Sequence, residues 1–499
     1  MKKIKVLSLI IILIILIPIT ACSQKPDNNT QAENNNPTQD AGNQPETSDD
    51  KKEAADVKLL PDLPENLNLN GYKFRIFYEL SEGGDWGVRG IGAEEETGEA
   101  INDETYMRNA YITDKYKFEI VSITSKVYDL PASKVKKTVQ AGSDEYDVVI
   151  IRQKELPALI TTGCLANLND MPGLDFDKPW WDKSIMNQLS ISGKQFTAFG
   201  DFIVCANDAL RILLFNKQIH KDAGLENIYI LVKEGKWTLD KFYTLSKDVA
   251  LDLNGDGKMD TKDRYGLLLQ KGSVVCFSFG ANELLTSKDK DDIPVLAIGG
   301  ERSLLALQKI WDVVNAPNLT IYDSAFPNSW ADLQVAFENS QGLFFGEVLQ
   351  LAERMRATEI DFGVVPFPKY DDAQENYYAF GDSNCMNHII VPNTNRNLEI
   401  TGQILEALCA ESYYTIRPAY YDKSLNGKFM RDEESSEMLD IVLSNKVISL
   451  DDMYGWGMFG TIQTALTAKS PNFVSAIEKN AVKTEQKIEK TVALIENLE

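Results

Sequence analysis

Acidic and amide side chains recur at short intervals between residues 252 and 263. Counted from Asp252, they occupy positions 1, 3, 5, 9 and 12 of a twelve-residue segment, with Gly257 at position 6. A hard cation such as Ca²⁺ needs six or more oxygen ligands, and this spacing arranges them around one point, with a backbone carbonyl at position 7. The segment therefore predicts a calcium loop formed by Asp252, Asn254, Asp256, Lys258, Asp260 and Asp263.

The flanking segments indicate how this loop is held. Residues 237–250 read as a helix with Thr238 as its N-cap, and residues 264–269 read as a strand. A single entering helix lacks the helix pair that opens in calcium sensors. Asp263 also stands where a longer, bidentate Glu is usual. We therefore expect a structural calcium clip rather than a switch, and the alternative is a solvated acidic turn.

Strands and helices alternate along most of the chain. Apolar strands are predicted at 72–78, 118–123 and 146–151, with helices between them, which favours an α/β lobe with a largely parallel sheet. Strands at 195–201 and 212–216 would cross to a second α/β lobe. Further predicted helices are 104–117, 132–141, 157–162, 302–314, 330–339, 398–411 and 472–499, and further strands are 342–345, 362–365 and 388–391.

Composition narrows the function classes. The net charge of −23 argues against nucleic acid or an anionic membrane surface as a partner. Only two histidines, His220 and His388, are present, which argues against a multi-histidine metal centre or a His-dependent triad. The five cysteines after Cys22 are scattered and form no CxxC pair, so we expect buried thiols rather than a disulfide framework.

The N-terminus has the pattern of an export signal. Three lysines precede an apolar run at 6–17, which is too short to span a membrane, and Ile19-Thr20-Ala21-Cys22 resembles the bacterial lipobox. We therefore predict a signal peptide at 1–21 and acylation of Cys22, with a polar, disordered tether continuing to residue 58. The alternative is an ordinary cleaved signal followed by an incidental cysteine.

Several motifs, in this order, resemble the extracellular solute-binding proteins (family 1) of ABC importers. They are Gly98-Glu-Ala-Ile-Asn-Asp103, Tyr146-Asp-Val-Val-Ile-Ile151, Pro179-Trp-Trp-Asp182, Phe215-Asn-Lys217, the calcium loop ending in Arg264-Tyr-Gly-Leu267, and Asp361-Phe-Gly-Val-Val-Pro-Phe-Pro-Lys-Tyr370. The resemblance covers nearly all of 59–499 and lies in the order and spacing of the motifs rather than in any one of them.

The resemblance implies a two-lobed, periplasmic-binding-protein-like type II fold with hinge strands between the lobes. Lobe 1 would comprise 59–200 and 384–435, lobe 2 would comprise 201–383, and 436–499 would form C-terminal helices closing on lobe 2. The implied protein is a monomeric lipoprotein on the extracellular face of the cell membrane. It would capture a mono- or oligosaccharide in the interlobe cleft and deliver it to permease subunits without catalysis.

The resemblance also implies which residues contact the ligand. Trp456 would stack on a sugar ring, Asp201 and Glu347 would bind hydroxyl groups, and Arg152 and Phe277 would line the cleft. Four of these have a structural alternative: core packing for the two aromatic residues, an exposed loop position for Glu347, and a surface salt bridge for Arg152. Phe279, Trp180, Trp181 and Trp330 fit packing better than ligand contact.

Two other functions share these features. A glycoside-processing enzyme needs two carboxyl groups about 5–5.5 Å apart when it retains configuration, and an acidic chain makes such pairs unavoidable. A sensory lipoprotein for a non-sugar solute would have the same fold and differ only in its docking surface.

Overall fold

The structure is a computed structural model that describes residues 58–80, 86–127, 129–355, 357–421 and 433–498. The predicted signal peptide, the lipidation site Cys22 and the tether up to residue 57 lie outside these residues. Residues 59–499 form one compact unit. Among the described residues, no helix is both long enough and apolar enough to cross a membrane.

The strands follow the chain in this order: β1 (Tyr72–Glu79), β2 (Phe118–Ser125), β3 (Val148–Arg152), β4 (Arg211–Asn216), β5 (Tyr265–Leu269), β6 (Thr286–Lys288), β7 (Pro294–Leu296), β8 (Thr320–Tyr322), β9 (Gly342–Val348), β10 (Phe362–Val365), β11 (Ala379–Phe380), β12 (Asn387–Ile390) and β13 (Lys446–Val447).

The α-helices are α1 (Ala100–Tyr116), α2 (Pro131–Gln140), α3 (Pro157–Ile160), α4 (Lys183–Leu189), α5 (Lys217–Asp222), α6 (Ile228–Lys233), α7 (Leu239–Ser246), α8 (Cys276–Gly280), α9 (Glu301–Val314), α10 (Trp330–Glu338), α11 (Leu349–Met355), α12 (Leu398–Tyr414), α13 (Ile416–Pro418), α14 (Glu433–Ser444), α15 (Leu450–Tyr454), α16 (Met458–Leu466) and α17 (Phe473–Glu496). Short 3₁₀ segments lie at Gln153–Glu155, Leu168–Asp170, Asp201–Ala209, Lys271–Val275 and Asp323–Ala325.

The sheet of lobe 1 has the strand order β12-β3-β1-β2. β1 runs parallel to both β2 and β3, and β12 runs antiparallel to β3. All five residues of β3 are buried. An uninterrupted apolar run is what a parallel strand covered on both faces requires, and the predicted α/β lobe with a largely parallel sheet is confirmed.

The sheet of lobe 2 has the order β10-β4-β9-β5-β8. β5 is parallel to β8 and β9, whereas β4 is antiparallel to β9 and β10. Every residue of β4, β5, β9 and β10 is buried. Helices therefore cover both faces of this sheet as well, and the polar residues within its strands have no solvent to face.

Two adjacent chain segments connect the lobes. Asp201–Ala209 runs from lobe 1 to β4, and the second segment follows β11 and returns to β12. They contact each other where Leu210 bridges Gly381 and where the Asp382 N–H donates to the Ala209 carbonyl at 3.0 Å. The architecture is thus two α/β lobes joined by paired hinge segments.

The first hinge segment differs from its predicted form. The sequence predicts a strand at 195–201, but this stretch makes only isolated bridges, one of them between Gly200 and Trp181. The chain passes very close to the ring here: a Cβ at Gly200 would lie 2.7 Å from the Trp181 ring. This close approach is followed directly by the 3₁₀ turns of Asp201–Ala209, so no continuous ladder forms.

The C-terminal helix α17 contacts both lobes. Near its start, Ile477 packs beside Gly299 of lobe 2. Near its end, the carbonyl of Ile495 accepts a hydrogen bond from Lys194 Nζ of lobe 1 at 3.1 Å. The sequence predicts that these C-terminal helices close on lobe 2, and the structure shows contact with lobe 1 as well.

The five described cysteines are all free thiols. Four are buried, and Cys385, on the second hinge segment, is half-buried. The expectation of buried thiols therefore holds for all of these cysteines except Cys385.

Candidate functional site

The cleft between the lobes begins where two parallel strands of lobe 1 end. Glu79 ends β1 and Arg152 ends β3, and these neighbouring strands point their carboxyl ends to the same edge. Arg152 Nη2 lies 2.5 Å from Glu79 Oε2, and both side chains are buried. Arg152 thus lies at the sheet edge where a ligand contact is predicted. Its charge is paired with Glu79 in a buried ion pair, not in a surface salt bridge.

Lobe 2 contributes a second charged group. Glu347, within β9, accepts a hydrogen bond from Trp330 Nε1 at 2.7 Å and lies 3.6 Å from Arg211 Nη1. Asp382, on the second hinge segment, accepts from Arg211 Nε at 2.9 Å and from Nη2 at 2.5 Å. Arg211 therefore joins a strand of lobe 2 to the hinge.

The electrostatics of this group are uneven. Burial raises the pKa of Glu347, and Arg211 only partly offsets that effect. Burial also acts to raise the pKa of Asp382, but the adjacent Arg211 guanidinium holds it below its ordinary value. The shorter contact explains the difference, since Asp382 lies at 2.5 Å and Glu347 at 3.6 Å. Asp382 is the closer counter-ion of Arg211, and Glu347 is the more weakly paired carboxyl.

Two tryptophans meet across the mouth of the cleft. Trp86 follows β1 in lobe 1, and Trp330 begins α10 in lobe 2; both are half-buried. Their ring centroids lie 6.1 Å apart at 67°, an edge-to-face contact. Arg354 of α11 places its Cζ 4.3 Å from the Trp86 ring centroid. Trp86 is not among the predicted site residues, although neighbouring glycines, the signal used for Trp456, also surround it.

Arg89 connects lobe 1 to the hinge and to lobe 2. Its Nη1 lies 2.9 Å from Glu353 Oε2 of α11, and its Nη2 bonds to Asp208 of the first hinge segment. Within the described residues, the buried Nε of Arg89 and the buried Nη1 of Arg211 have no hydrogen-bond partner. A buried donor without an acceptor is costly, and Arg89 also lines both cleft cavities, so its position favours a ligand that brings an acceptor oxygen.

The described residues of the cleft line a nearly filled cavity and an open cavity. The cavity between Trp86, Gln350 and Cys385 has a volume of about 20 Å³, which is room for about one water. The second, of about 420 Å³, lies beyond Arg89 and is lined by Asn102 and Arg354 among others. A ligand larger than water therefore enters the second cavity, or reaches the first only when the lobes move apart.

Asp201 faces a different cavity. It lines a space of about 270 Å³ together with Trp181, Arg417 and Lys446, whereas Asp208 on the same hinge segment lines the cleft. Its Oδ2 lies 3.4 Å from Arg417 Nη1, and burial raises the pKa of Asp201 to about 7. The structure does not bring Asp201 together with Glu347 and Arg152.

The two predicted aromatic contacts lie in the core. Trp456 is 2 % exposed, stacks on Tyr454 with centroids 5.2 Å apart, and donates from Nε1 to Thr491 Oγ1 at 2.9 Å. The flanking glycines adopt positive φ, but the face of the ring is covered. Phe277 is fully buried in the core of lobe 2, against Phe242. Contrary to expectation, neither ring reaches the cleft.

In the predicted calcium loop, the carboxylates accept hydrogen bonds from the loop's own backbone. Asp252 accepts from the N–H groups of Gly255 and Gly257, both at 2.7 Å. Asp263, which is 1 % exposed, accepts from Leu253 and Asp260 at 2.9 and 2.7 Å. Across the described residues, no three His, Cys, Asp or Glu side chains are grouped so that they could hold a metal ion. The calcium site stays a prediction.

No family model matches the sequence, and no curated protein sequence matches it. Solved structures do match the fold. The ABC substrate-binding protein Lmo0181 from Listeria monocytogenes, in complex with cycloalternan, is 12 % identical with a TM-score of 0.54, and the match covers 84 % of this chain and 99 % of that one.

Two further structures match over similar lengths. The cyclic alpha-maltosyl-1,6-maltose binding protein from Arthrobacter globiformis is 14 % identical with a TM-score of 0.54 and covers 85 % of this chain and 99 % of its own. UgpB from Mycobacterium tuberculosis, in complex with glycerophosphocholine, is 12 % identical with a TM-score of 0.53, over 85 % and 99 %. This chain therefore has the two-lobed fold of the ABC substrate-binding proteins.

Proposed function

We propose that this protein is the substrate-binding lipoprotein of an ABC importer and captures a carbohydrate between its lobes. The observation that carries the proposal is the pair Trp86 and Trp330, one from each lobe, beside the polar group of Arg211, Glu347 and Asp382. Aromatic faces cover the apolar C–H faces of sugar rings, and carboxylates and guanidinium groups bond to their hydroxyls. Solved structures of this fold hold cycloalternan and maltotriose, which supports the assignment.

The charge balance of the cleft favours a neutral ligand. Three of the four arginines described at the cleft pair with carboxylates: Arg152 with Glu79, Arg89 with Asp208 and Glu353, and Arg211 with Asp382 and Glu347. The fourth, Arg354, lies over the Trp86 ring. The carboxylates therefore outnumber these arginines, and an anionic ligand would meet an already neutralised surface. This argues for a sugar over a phosphodiester such as glycerophosphocholine, which one protein of this fold binds.

The same pairing argues against catalysis. A retaining glycosidase needs one carboxylate as a nucleophile and another as an acid. In this cleft Asp382 is bound to Arg211, and Glu347 is held by Trp330 Nε1 and the Val348 N–H. We propose a receptor that closes around its ligand and releases it to permease subunits.

The remaining parts of the proposal concern attachment and metal. Acylation of Cys22 would hold the protein on the outer face of the cell membrane, and the tether would raise its concentration near the permease. Replacing Cys22 with Ser should move the protein from the membrane fraction to the medium. The loop at 252–263 would act as a calcium clip beside α7.

Thermal-shift screening of purified 59–499 against mono- and oligosaccharides tests the function. A ligand that binds only the folded state raises the melting temperature, so at least one sugar should do so. Glycerophosphocholine and peptides serve as competing ligand classes. Stabilisation by one of those and by no sugar would exclude the carbohydrate assignment, and release of hydrolysis products from a stabilising sugar would indicate an enzyme.

A pair of variants links the result to the cleft. Trp330→Ala should weaken binding of the stabilising sugar about tenfold, which corresponds to about 1.4 kcal/mol. Trp311→Ala is the matched control, because Trp311 is also half-buried in lobe 2 but bonds to the Ala468 carbonyl, away from the cleft residues. Equal affinity in both variants would remove Trp330 from the site.

A further inference from the structure

A groove on lobe 1 lies outside the cleft described above. It runs between α1 and β2 and has a volume of about 1000 Å³. The sheet order explains the position of the groove. β2 is the outer strand next to β1, and within the described residues no strand pairs with the other edge of β2. The groove is long as well as large. Its lining on α1 extends from Asn102 to Thr113, which at 1.5 Å per residue spans about 16 Å.

The groove is continuous with the cleft. Four residues line both the groove and the open cleft cavity of about 420 Å³, namely Tyr78, Leu80, Gly92 and Asn102. At this junction the Gly92 backbone packs closely against both strands, because a Cβ there would lie 2.8 Å from Tyr78 Oη and 2.9 Å from Ser122 Oγ. The groove and the open cleft cavity therefore adjoin each other along the ends of β1 and α1.

The lining of the groove matches a neutral, hydroxyl-rich chain. Amide and hydroxyl groups recur along both walls, at Asn102, Asn109 and Thr113 on the helix and at Ser122 and Thr124 on the strand. Hydroxyl groups that already hold one hydrogen bond keep acceptor capacity for another. Tyr106 adds an aromatic side chain that is 37 % exposed. Among the described residues, the charged side chains of the lining are carboxylates, Glu94 and Glu119, so an anionic polymer would be repelled.

We propose that this groove binds the distal units of a linear, neutral oligosaccharide whose first units occupy the interlobe cleft. The inference rests on the proposed function and deepens it: the ligand is a chain rather than a monosaccharide, and lobe 1 contacts more of it than lobe 2 does. Tyr106 stacks on one distal ring, and the amides and hydroxyls of α1 and β2 bind the ring hydroxyls.

The test is a comparison of chain lengths by calorimetry. Linear malto-, cello- and xylo-oligosaccharides, from disaccharide to hexasaccharide, are titrated into the wild type and two variants. In the series that binds, affinity should rise with length. Tyr106→Ala should lower hexasaccharide affinity about tenfold and leave disaccharide affinity unchanged. Tyr111→Ala is the matched control, because Tyr111 lies on the same helix, is 49 % exposed and is not part of the groove lining.

The outcomes separate this proposal from the one it rests on. Sugars that bind with an affinity independent of length, or a Tyr106→Ala variant that weakens all lengths equally, would overturn the groove and leave the sugar receptor standing. If no sugar binds at all, both proposals fail. Amide exchange in the wild type gives a second measurement: the hexasaccharide should protect β2 and α1, whereas the disaccharide should not.

Discussion

The tryptophans of the core and those of the cleft have similar neighbours in the sequence but different surroundings in the structure. Trp456 and Trp86 each have glycine neighbours, yet Trp456 is 2 % exposed and bonded to Thr491, whereas Trp86 is half-buried and meets a ring of the other lobe. The difference teaches that a flexible turn only permits exposure. Whether the ring is exposed depends on which distant element packs over it.

The largest expected effect is on the core side of this comparison. Trp456→Ala should lower the free energy of unfolding by about 3–5 kcal/mol, because it leaves a cavity and removes the partner of Thr491. Chemical denaturation measures the loss. The sugar affinity of the folded fraction should stay unchanged; a selective loss of affinity at unchanged stability would instead make Trp456 a ligand contact.

The next effect concerns Asp201, which is buried away from the cleft. Its pKa is about 7 in the folded protein and about 3.8 ordinarily, so the folded state binds the proton more tightly. Protonated Asp201 therefore makes its full contribution to the free energy of unfolding below about pH 4. That contribution falls by up to about 4 kcal/mol as the pH rises towards 7. Asp201→Asn should flatten that part of the profile of unfolding free energy.

The control for this pH profile is Asp248→Asn, since Asp248 has an 82 % exposed side chain. Its profile should follow the wild type. If the profile for Asp201→Asn also follows the wild type and sugar binding is weakened, Asp201 is a ligand contact.

On the cleft side the effect should be on binding rather than on folding. Trp86→Ala removes a ring that packs edge-on against Trp330 and beneath Arg354. We expect about a tenfold loss of sugar affinity and a change in unfolding free energy below about 1 kcal/mol, because the side chain is only half-buried. A large loss of stability at full affinity would show that the two groups of tryptophans do not differ in role.

The smallest effect is expected at the loop of residues 252–263, which is exposed over most of its length. If calcium binds weakly there, a chelator should lower the unfolding free energy by about 1 kcal/mol or less. Asp256→Ala should abolish this sensitivity, while Asp248→Ala should retain it. Identical melting curves with and without chelator in the wild type would exclude the clip.

Much of the fold was predictable because local pattern and tertiary environment agree. The apolar run of β3 is buried along its whole length, as a covered parallel strand must be. Thr238 accepts a hydrogen bond from the Lys241 N–H at the start of α7, as its N-cap prediction requires. Only the stretch before the hinge failed as a strand, because Gly200 packs against Trp181.

The site was less predictable because its contacts join distant segments. Trp86 meets Trp330, and Arg211 meets Asp382, over separations that no local pattern encodes. Glu347 was predicted as a polar ligand contact or an exposed loop residue, and its position within a fully buried strand contradicts the second of these. Its partner Trp330 fitted packing in the sequence, and only the fold shows that the helix it begins faces the cleft.

The half-buried thiol on the second hinge segment gives the molecule a native kinetic probe. Cys385 lines the small cavity beside Trp86 and Gln350, and burial raises its pKa to about 12. The thiolate is the reactive form of cysteine, so we expect slow alkylation of Cys385 in this arrangement and faster alkylation when separation of the lobes exposes it. Because the other described cysteines are buried, the alkylation rate of Cys385 can report the rate of lobe opening without an engineered label.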